Sequence, residues 1–274
     1  MMILHCAQFE LTLTRPHVMG IVNVTPDSFS DGGHFVHTSA AVEHAFALVE
    51  QGADILDVGG ESTRPNATPV ALQEELDRVI PVIEVLSRHV KVPISIDTYK
   101  PAVMVEAIRA GASIVNDVRA LQELGAMQAV ASSKVGVCLM HMQGTPQTMQ
   151  IDPVYTHVVD EVKSFLAERA AACLAAGIAK ERIMLDPGFG FGKTRAHNIQ
   201  LIQELANLQS LGYPLLVGLS RKSVLGQVTG QDVDARLHAS VAAAVISAMK
   251  GANIVRVHDV KATVEALKVV TAIL

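Results

Sequence analysis

A single-domain (β/α)8 barrel of the TIM type is the fold class that this sequence of 274 residues predicts, and three observations carry it. Short apolar runs alternate eight times with longer segments of helical period. The runs are apolar on both faces, which suits parallel strands buried between layers of helices. No linker or composition break divides the chain, and its length fits one barrel of roughly 250 residues. An open doubly wound sheet is the rival, but eight units close more economically into a barrel.

Each element has its own signal. Residues 17–22 (HVMGIV) form the first strand, and residues 40–51 a helix closed by Gly52. Residues 53–58 form the next strand, stopped by Gly59 and Gly60. The helix over 71–88 puts Leu72, Leu76, Val79, Ile80, Ile83 and Leu86 on one face. A strand at 92–96 leads to a helix at 101–110, opened by Pro101 and closed at Gly111. The remaining strands are expected at 113–118, 135–140, 182–185, 214–219 and 253–257. The remaining helices are expected at 121–133, 156–176, 197–209, 222–229, 234–250 and 261–272. Residues 1–16 precede the first strand and are expected to cap the N-terminal mouth, with 17–274 forming the barrel.

A hydrophobic content of 50% excludes a disordered chain. A net charge of −5 argues against nucleic acid as the partner, while leaving room for a small anionic ligand. Cys6, Cys138 and Cys173 form neither a disulfide framework nor a zinc pattern, and a reducing cytoplasm is expected. No signal-peptide pattern opens the chain and no run of about 18 apolar residues exists, so no membrane span is expected. The Ala-rich stretch 239–249 is read as a helix packed on the barrel or on a second subunit.

A barrel carries its chemistry where its strands end. Every strand here delivers polar groups at that end. They are Asn23; Glu61, Thr63 and Arg64; Asp97; Asn116 and Asp117; His141; Asp186; Ser220, Arg221 and Lys222; and Arg256, His258 and Asp259. Three of the following loops, 24–38, 59–70 and 186–195, are long and rich in Gly or Pro, and are read as lids or binding loops. No nucleophile–base pair stands out: GLSRK is not a nucleophile elbow, and Ser220 has no evident His partner. There is no P-loop spacing and no HExxH, and His34 and His37 (HFVH) are a weak metal pattern in a presumed loop.

What remains is a binding constellation. Asp97, Asp186 and Asn116 suit a heterocycle rich in N–H donors, since a carboxylate accepts two parallel donors. Lys222 suits a ring carbonyl or nitrogen, and Arg256 can stack on a flat ring or pair with an anion. Arg64, Arg256, His258 and Asn23 suit a phosphate-like group, with Asn23 offering a neutral oxygen to Mg2+. The residues together point to a planar polar heterocycle bearing an anionic leaving group.

Eight blocks of the sequence carry a family resemblance. GIVNVTPDSFSDGG (20–33) and GADILDVGGESTRP (52–65) resemble the two signature patterns of dihydropteroate synthase. SIDTYKP (95–101), IVNDV (114–118), MHMQGTP (140–146), LDPGFGFGK (185–193), GLSRKS (218–223) and RVHDV (256–260) follow in the family's order. The resemblance implies a (β/α)8 barrel that condenses 6-hydroxymethyl-7,8-dihydropterin diphosphate with 4-aminobenzoate. The products are 7,8-dihydropteroate and pyrophosphate, in folate biosynthesis. It also implies a sulfonamide target and a homodimer through the last helices. Carried over by position, Asn23 is the Mg2+ ligand, and Asp97, Asn116, Asp186 and Lys222 read the pterin, with Arg256 stacked on its ring. Thr63, Arg64, Arg256 and His258 hold the diphosphate, and Phe29, Pro65, Phe191, Lys222 and Ser223 form the aminobenzoate pocket. Val118 and Met140 resemble the family's pterin-pocket walls, with plain barrel core as the alternative reading. The implied mechanism is SN1-like, through a cation at the pterin methylene, with Arg64, Asp97, Asp186 and Lys222 as the catalytic set. The competing readings are a methyltetrahydrofolate–corrinoid methyltransferase and a silent pterin-binding paralogue.

Overall fold

The apolar runs become strands and the helix-period segments become helices in the expected alternation. The computed structural model describes residues 2–24, 34–63 and 67–273. Two short strands, β1 (Ile3–Cys6) and β2 (Phe9–Thr12), pair as an antiparallel hairpin ahead of the barrel. The barrel strands are β3 (His17–Asn23), β4 (Ile55–Gly59), β5 (Ile94–Asp97), β6 (Ile114–Asp117), β7 (Gly136–Met140), β8 (Ile183–Asp186), β9 (Leu216–Val217) and β10 (Ile254–Val257). They pair in parallel in the order β8-β7-β6-β5-β4-β3-β10-β9. A parallel bridge from Leu185 to Leu215 brings the two ends of the sheet together. The result is an eight-stranded sheet nearly closed into a barrel.

The helices around it are α1 (His34–Glu50), α2 (Leu72–His89), α3 (Pro101–Ala110), α4 (Ala126–Ala131), α5 (Val158–Ala175), α6 (Arg195–Gln203), α7 (Ser223–Thr229), α8 (Leu237–Met249) and α9 (Val260–Ile273). Local chemistry explains the ends of several. In α3, Pro101 stands at the first turn, where its missing N–H costs nothing. The helix stops at Gly111 in the left-handed region, at φ +115°. Along α2, Glu74 and Glu75 lie in the first turn and Arg88 and His89 in the last, each sign complementing the helix dipole. Its buried stripe is Val79, Val82, Ile83 and Leu86, and each such side chain contributes roughly 1.5–3 kcal/mol.

Helices α1 and α4 and strand β9 depart from the sequence reading, as does α6, which ends at Gln203 with a 3-10 turn over the rest of the expected 197–209. Helix α1 starts at His34 rather than at residue 40, so the HFVH pair opens a helix; the side chains of both histidines lie outside the described residues. Helix α4 is cut to Ala126–Ala131 from an expected 121–133. The cause is Asp117, whose buried carboxylate accepts the N–H groups of Arg119 and Leu121 and winds the chain into a tight turn. Strand β9 keeps two residues of an expected six. Pro214 has no N–H to give, and the chain turns sharply at Arg221, at φ +59°.

Two apolar cores follow from the two-residue period of the strands. Outward-facing Val22, Leu56, Val58, Ile96, Val115, Leu139 and Leu185 pack against the helices. Inward-facing Met19, Ile55, Ile114, Cys138, Met184, Leu216 and Ile254 fill the bottom of the barrel. Leu4, Cys6 and Leu13 from the hairpin segment join that inner cluster, and Ala7 N–H donates to the Lys134 carbonyl just before β7. The hairpin therefore lies beneath the end at which the strands begin. No helix among the described residues is long and apolar enough to cross a membrane.

Candidate active site

The upper end of the barrel collects the polar residues that the inward register selects. Asp97 ends β5, Asn116 lies in β6, Met140 ends β7, Asp186 ends β8 and Arg256 lies in β10. Asp97 and Asn116 face each other across the β5–β6 ladder, as Met140 and Asp186 do across β7–β8. The Arg256 guanidinium reaches across this end. Its Nε donates to Asp57 Oδ2 at 2.5 Å and its Nη2 to Asp97 Oδ2 at 2.7 Å. Asp57 Oδ2 also accepts from Asn116 Nδ2 at 3.2 Å. The second oxygens of both carboxylates, Asp57 Oδ1 and Asp97 Oδ1, are buried without a partner. Buried polar atoms are nearly always paired, so an orphaned carboxylate oxygen marks a place prepared for a donor.

On the opposite side Lys222 follows β9. Its Nζ donates to the Phe189 carbonyl at 2.5 Å and lies 4.5 Å from the centre of the Phe191 ring. Asp186 Oδ1 accepts the Gly188 N–H at 2.7 Å. The glycines of GFGFG let this loop lie against its neighbour. Gly188 has φ +67°, and a Cβ there would stand 1.8 Å from the His141 carbonyl oxygen.

Burial shapes the electrostatics. It pushes the Asp97 carboxyl up to about 7, against the pull of Arg256. It raises Asp186 as well, against Lys222. Burial brings the Lys222 ammonium down to about 8, with Asp186 resisting. For Arg256 burial opposes the charge, but Asp57 and Asp97 more than offset it and raise the guanidinium above its ordinary range. The site thus holds two carboxyls that burial raises, Asp97 and Asp186, beside a fixed cation. A ligand rich in N–H donors would find acceptors there, and a developing positive charge would find carboxylates.

Other expected residues lie around this cluster. Asn23 ends β3, in the sheet between β10 and β4. His258 directly follows β10, Thr63 is half-buried in the segment after β4, and Ser223 is exposed at the start of α7. Among the described residues neither Thr63 nor Ser223 joins the hydrogen-bonded cluster. Phe29, Arg64 and Pro65 lie outside the described residues. Several polar strand ends turn away from the mouth. His141 is buried against Tyr155 and Phe165, where burial and then the Lys193 charge bring its ring down to about 3. Asp117 caps a turn, and Asp259 holds Arg221 at 2.6 Å.

Some features escape the sequence reading. Asp57 anchors both Arg256 and Asn116, and its only signal is a carboxylate inside the apolar run ILDVG. Ser220 does have a histidine neighbour: its Oγ lies 3.0 Å from His258 Nδ1. Lys100 joins Glu61, Glu75 (2.5 Å) and the Val70 carbonyl (2.8 Å), and Glu61 in turn accepts the Val70 N–H at 3.2 Å. That clasp ties together the two ends of the segment carrying Thr63.

Comparison with known proteins gives a consistent result. Residues 19–258 match the family described as pterin binding enzyme. The dihydropteroate synthase of Escherichia coli K12 is 54% identical over 265 residues, covering 97% of this chain and 94% of its own. The Yersinia pestis dihydropteroate synthase, solved with a sulfonamide drug complex, superposes with a TM-score of 0.95 at 51% identity, covering 99% of each chain. The Xanthomonas albilineans dihydropteroate synthase in complex with 7,8-dihydropteroate gives a TM-score of 0.91 at 51% identity, covering 99% of this chain and 98% of its own.

Proposed function

The chain belongs to the pterin-binding enzyme family, and from that membership we infer how its barrel mouth works as a transferase that makes dihydropteroate. The substrates of this reading are 6-hydroxymethyl-7,8-dihydropterin diphosphate and 4-aminobenzoate. The observation that carries it is the orphaned Asp97 Oδ1, an acceptor prepared for the N–H edge of a pterin, beside Asn116 and with Arg256 donating to the other oxygen of the same carboxylate. Asp186 supplies a second carboxylate and Lys222 a donor for the ring's acceptor atoms. Arg256 lends its flat face to the ring. Thr63, Arg64, Arg256 and His258 hold the diphosphate. Phe29, Pro65, Phe191 and Ser223 receive the aminobenzoate, and Met140 walls the pterin pocket.

In this mechanism the bond between the methylene carbon and the diphosphate oxygen breaks, and its electron pair leaves with pyrophosphate. The dihydropterin ring spreads the resulting cation, which the Asp97 and Asp186 carboxylates favour electrostatically. The aminobenzoate nitrogen then supplies the electron pair for the new C–N bond and loses a proton. No enzyme nucleophile is needed. Asn23 fits Mg2+, because this ion binds through few protein oxygens and takes its other ligands from phosphate and water. When bound, the ion would neutralise charge on the departing pyrophosphate.

A homodimer through α8 and α9 belongs to the same reading, supported by exposed Ile246, Met249, Val269 and Ile273 on those helices. Cytoplasmic residence does too, supported by three buried free thiols. The test is pyrophosphate release, measured with and without aminobenzoate and with and without Mg2+. Mg2+-dependent release that yields dihydropteroate supports the reading. Tight pterin binding without release would refute it.

A further inference from the structure

Lys193 closes the block LDPGFGFGK, and none of the roles assigned above uses it. Its side chain is buried, at 3% exposure, so it does not reach out to a phosphate as a lysine after a Gly-rich turn could. It turns back on its own loop instead. Nζ donates to the Gly188 carbonyl at 2.8 Å and to the Phe191 carbonyl at 3.0 Å. It also lies 2.9 Å from Nδ1 of His141, just after β7. Both carbonyls accept whether Nζ holds two protons or three, so the pinning does not depend on its charge. The other carbonyls of this loop are held by side chains too. Gly190 accepts from Gln150 Nε2 at 2.7 Å, Gly192 from Tyr155 Oη at 2.7 Å, and Lys193 from Asn198 Nδ2 at 3.2 Å. The Phe189 carbonyl accepts from Lys222 Nζ, the donor read above for the pterin ring. Gly188, Gly190 and Gly192 have φ of +67°, +81° and +60°, which lets successive carbonyls point at different partners. Gln150 is exposed and Tyr155 half-buried, whereas Lys193 grips the loop from within.

We propose that Lys193 is a positioning residue for the pterin site: it pins the carbonyls on either side of Phe189 and Gly190, and so fixes the Phe189 carbonyl and the Phe191 ring against which the Lys222 ammonium is seated. This rests on the reading above that Lys222 serves the pterin. Lys222 is a long side chain with much rotamer freedom to lose. A carbonyl and a ring held in place take much of that loss before the ligand arrives, which leaves more of the binding free energy for the ligand. Lys193 acts through Lys222 and not on the substrate.

The test is a double-mutant cycle on the full chain, read as the dissociation constant of the dihydropterin alcohol. Lys193→Met should weaken binding by about tenfold, the order expected when a hydrogen bond to a charged group is lost. In a Lys222→Met background the same change should weaken it by less than about twofold, because the two residues act as one unit. The inhibition constant of pyrophosphate should also move by less than about twofold in Lys193→Met. Arg182→Met is the control. Arg182 likewise pins two carbonyls, those of Val135 at 2.8 Å and Val130 at 2.9 Å, but at the end where the strands begin. It should lower Tm and leave pterin affinity unchanged. Equal losses in the two backgrounds, or a weakening matched by Arg182→Met, would make Lys193 merely structural and overturn the proposal. A crystal structure of the unaltered chain with the dihydropterin alcohol decides the matter even if Lys193→Met does not fold. Lys222 Nζ should touch the ring while keeping the Phe189 carbonyl, and a Lys222 swung off the loop overturns the proposal. Failure of the unaltered chain to bind the dihydropterin alcohol would instead count against the functional reading beneath it.

Discussion

Replacing Gly188 by alanine separates two effects that usually act together. The backbone there has φ +67°, which costs an L-residue about 1–2 kcal/mol. The new Cβ would also stand 1.8 Å from the His141 carbonyl oxygen, a backbone atom that cannot swing aside. To reach an ordinary contact the two segments must part by well over an ångström. Overpacking of that kind costs typically about 1–3 kcal/mol, so the sum is about 2–5 kcal/mol. Gly177→Ala is the control, since it has φ +85° and nothing within 4 Å of its Cβ. It should lose only the conformational part. At roughly 2–4 °C per kcal/mol for a chain of this size, Gly177→Ala should lower Tm by a few degrees and Gly188→Ala by about twice that or more. The displaced loop carries Phe189 and Phe191, which seat Lys222, so Gly188→Ala should also raise the KM for the pterin substrate. Calorimetric melting and steady-state kinetics read both effects. Equal Tm losses in the two variants would refute the steric argument, and an unchanged KM would refute the coupling to Lys222.

Dihydropterin affinity should peak between pH 7 and 8. Below about 7 Asp97 takes up a proton and stops accepting, and affinity falls by at most about tenfold per pH unit; above about 8 Lys222 loses its charge. Calorimetry in buffers of different ionisation heat should show proton release on binding near pH 7, and a flat profile from pH 5 to 9 would contradict the assignment. Asp97 acts in the opposite sense on the stability of the empty protein. Its folded pKa is raised, so the stabilisation it gives is complete below about 3.8 and is lost as pH rises through about 7. Lys100→Met should destabilise the fold by about 3 kcal/mol, because it strands the buried Glu75 carboxylate. Urea unfolding measures that loss, and a change below about 1 kcal/mol would mean that the clasp contributes little.

The eight-unit barrel was legible because its signals are local and repeated. Pro101 and Gly111 bracket α3 by their own backbone chemistry, and the expected limits coincide with those observed. The failures are non-local. Asp117 shortens α4 by taking two backbone N–H groups that a helix would otherwise use. Asp97, Asn116, Asp186 and Arg256 were found because strand ends on a barrel converge. His141 shares that address but points outward, since adjacent strand residues face opposite ways. Asp57 was passed over because a single carboxylate inside an apolar run carries no pattern. The Ser220–His258 contact and the Lys100 clasp join residues from separate βα units, and spacing along the chain does not encode them.

The plugged floor of the barrel has a kinetic meaning. Leu4, Cys6 and Leu13 seal the lower end together with the inward residues of seven strands, so the barrel is a vessel with one door. Two substrates and two products must share that door. A molecule left inside is an obstacle to the next arrival, and the order of departures becomes part of the rate. Each product, while it stays inside, should then impede turnover in a distinct pattern. The traffic is set as much by the hairpin at the far end as by the residues that touch the cargo.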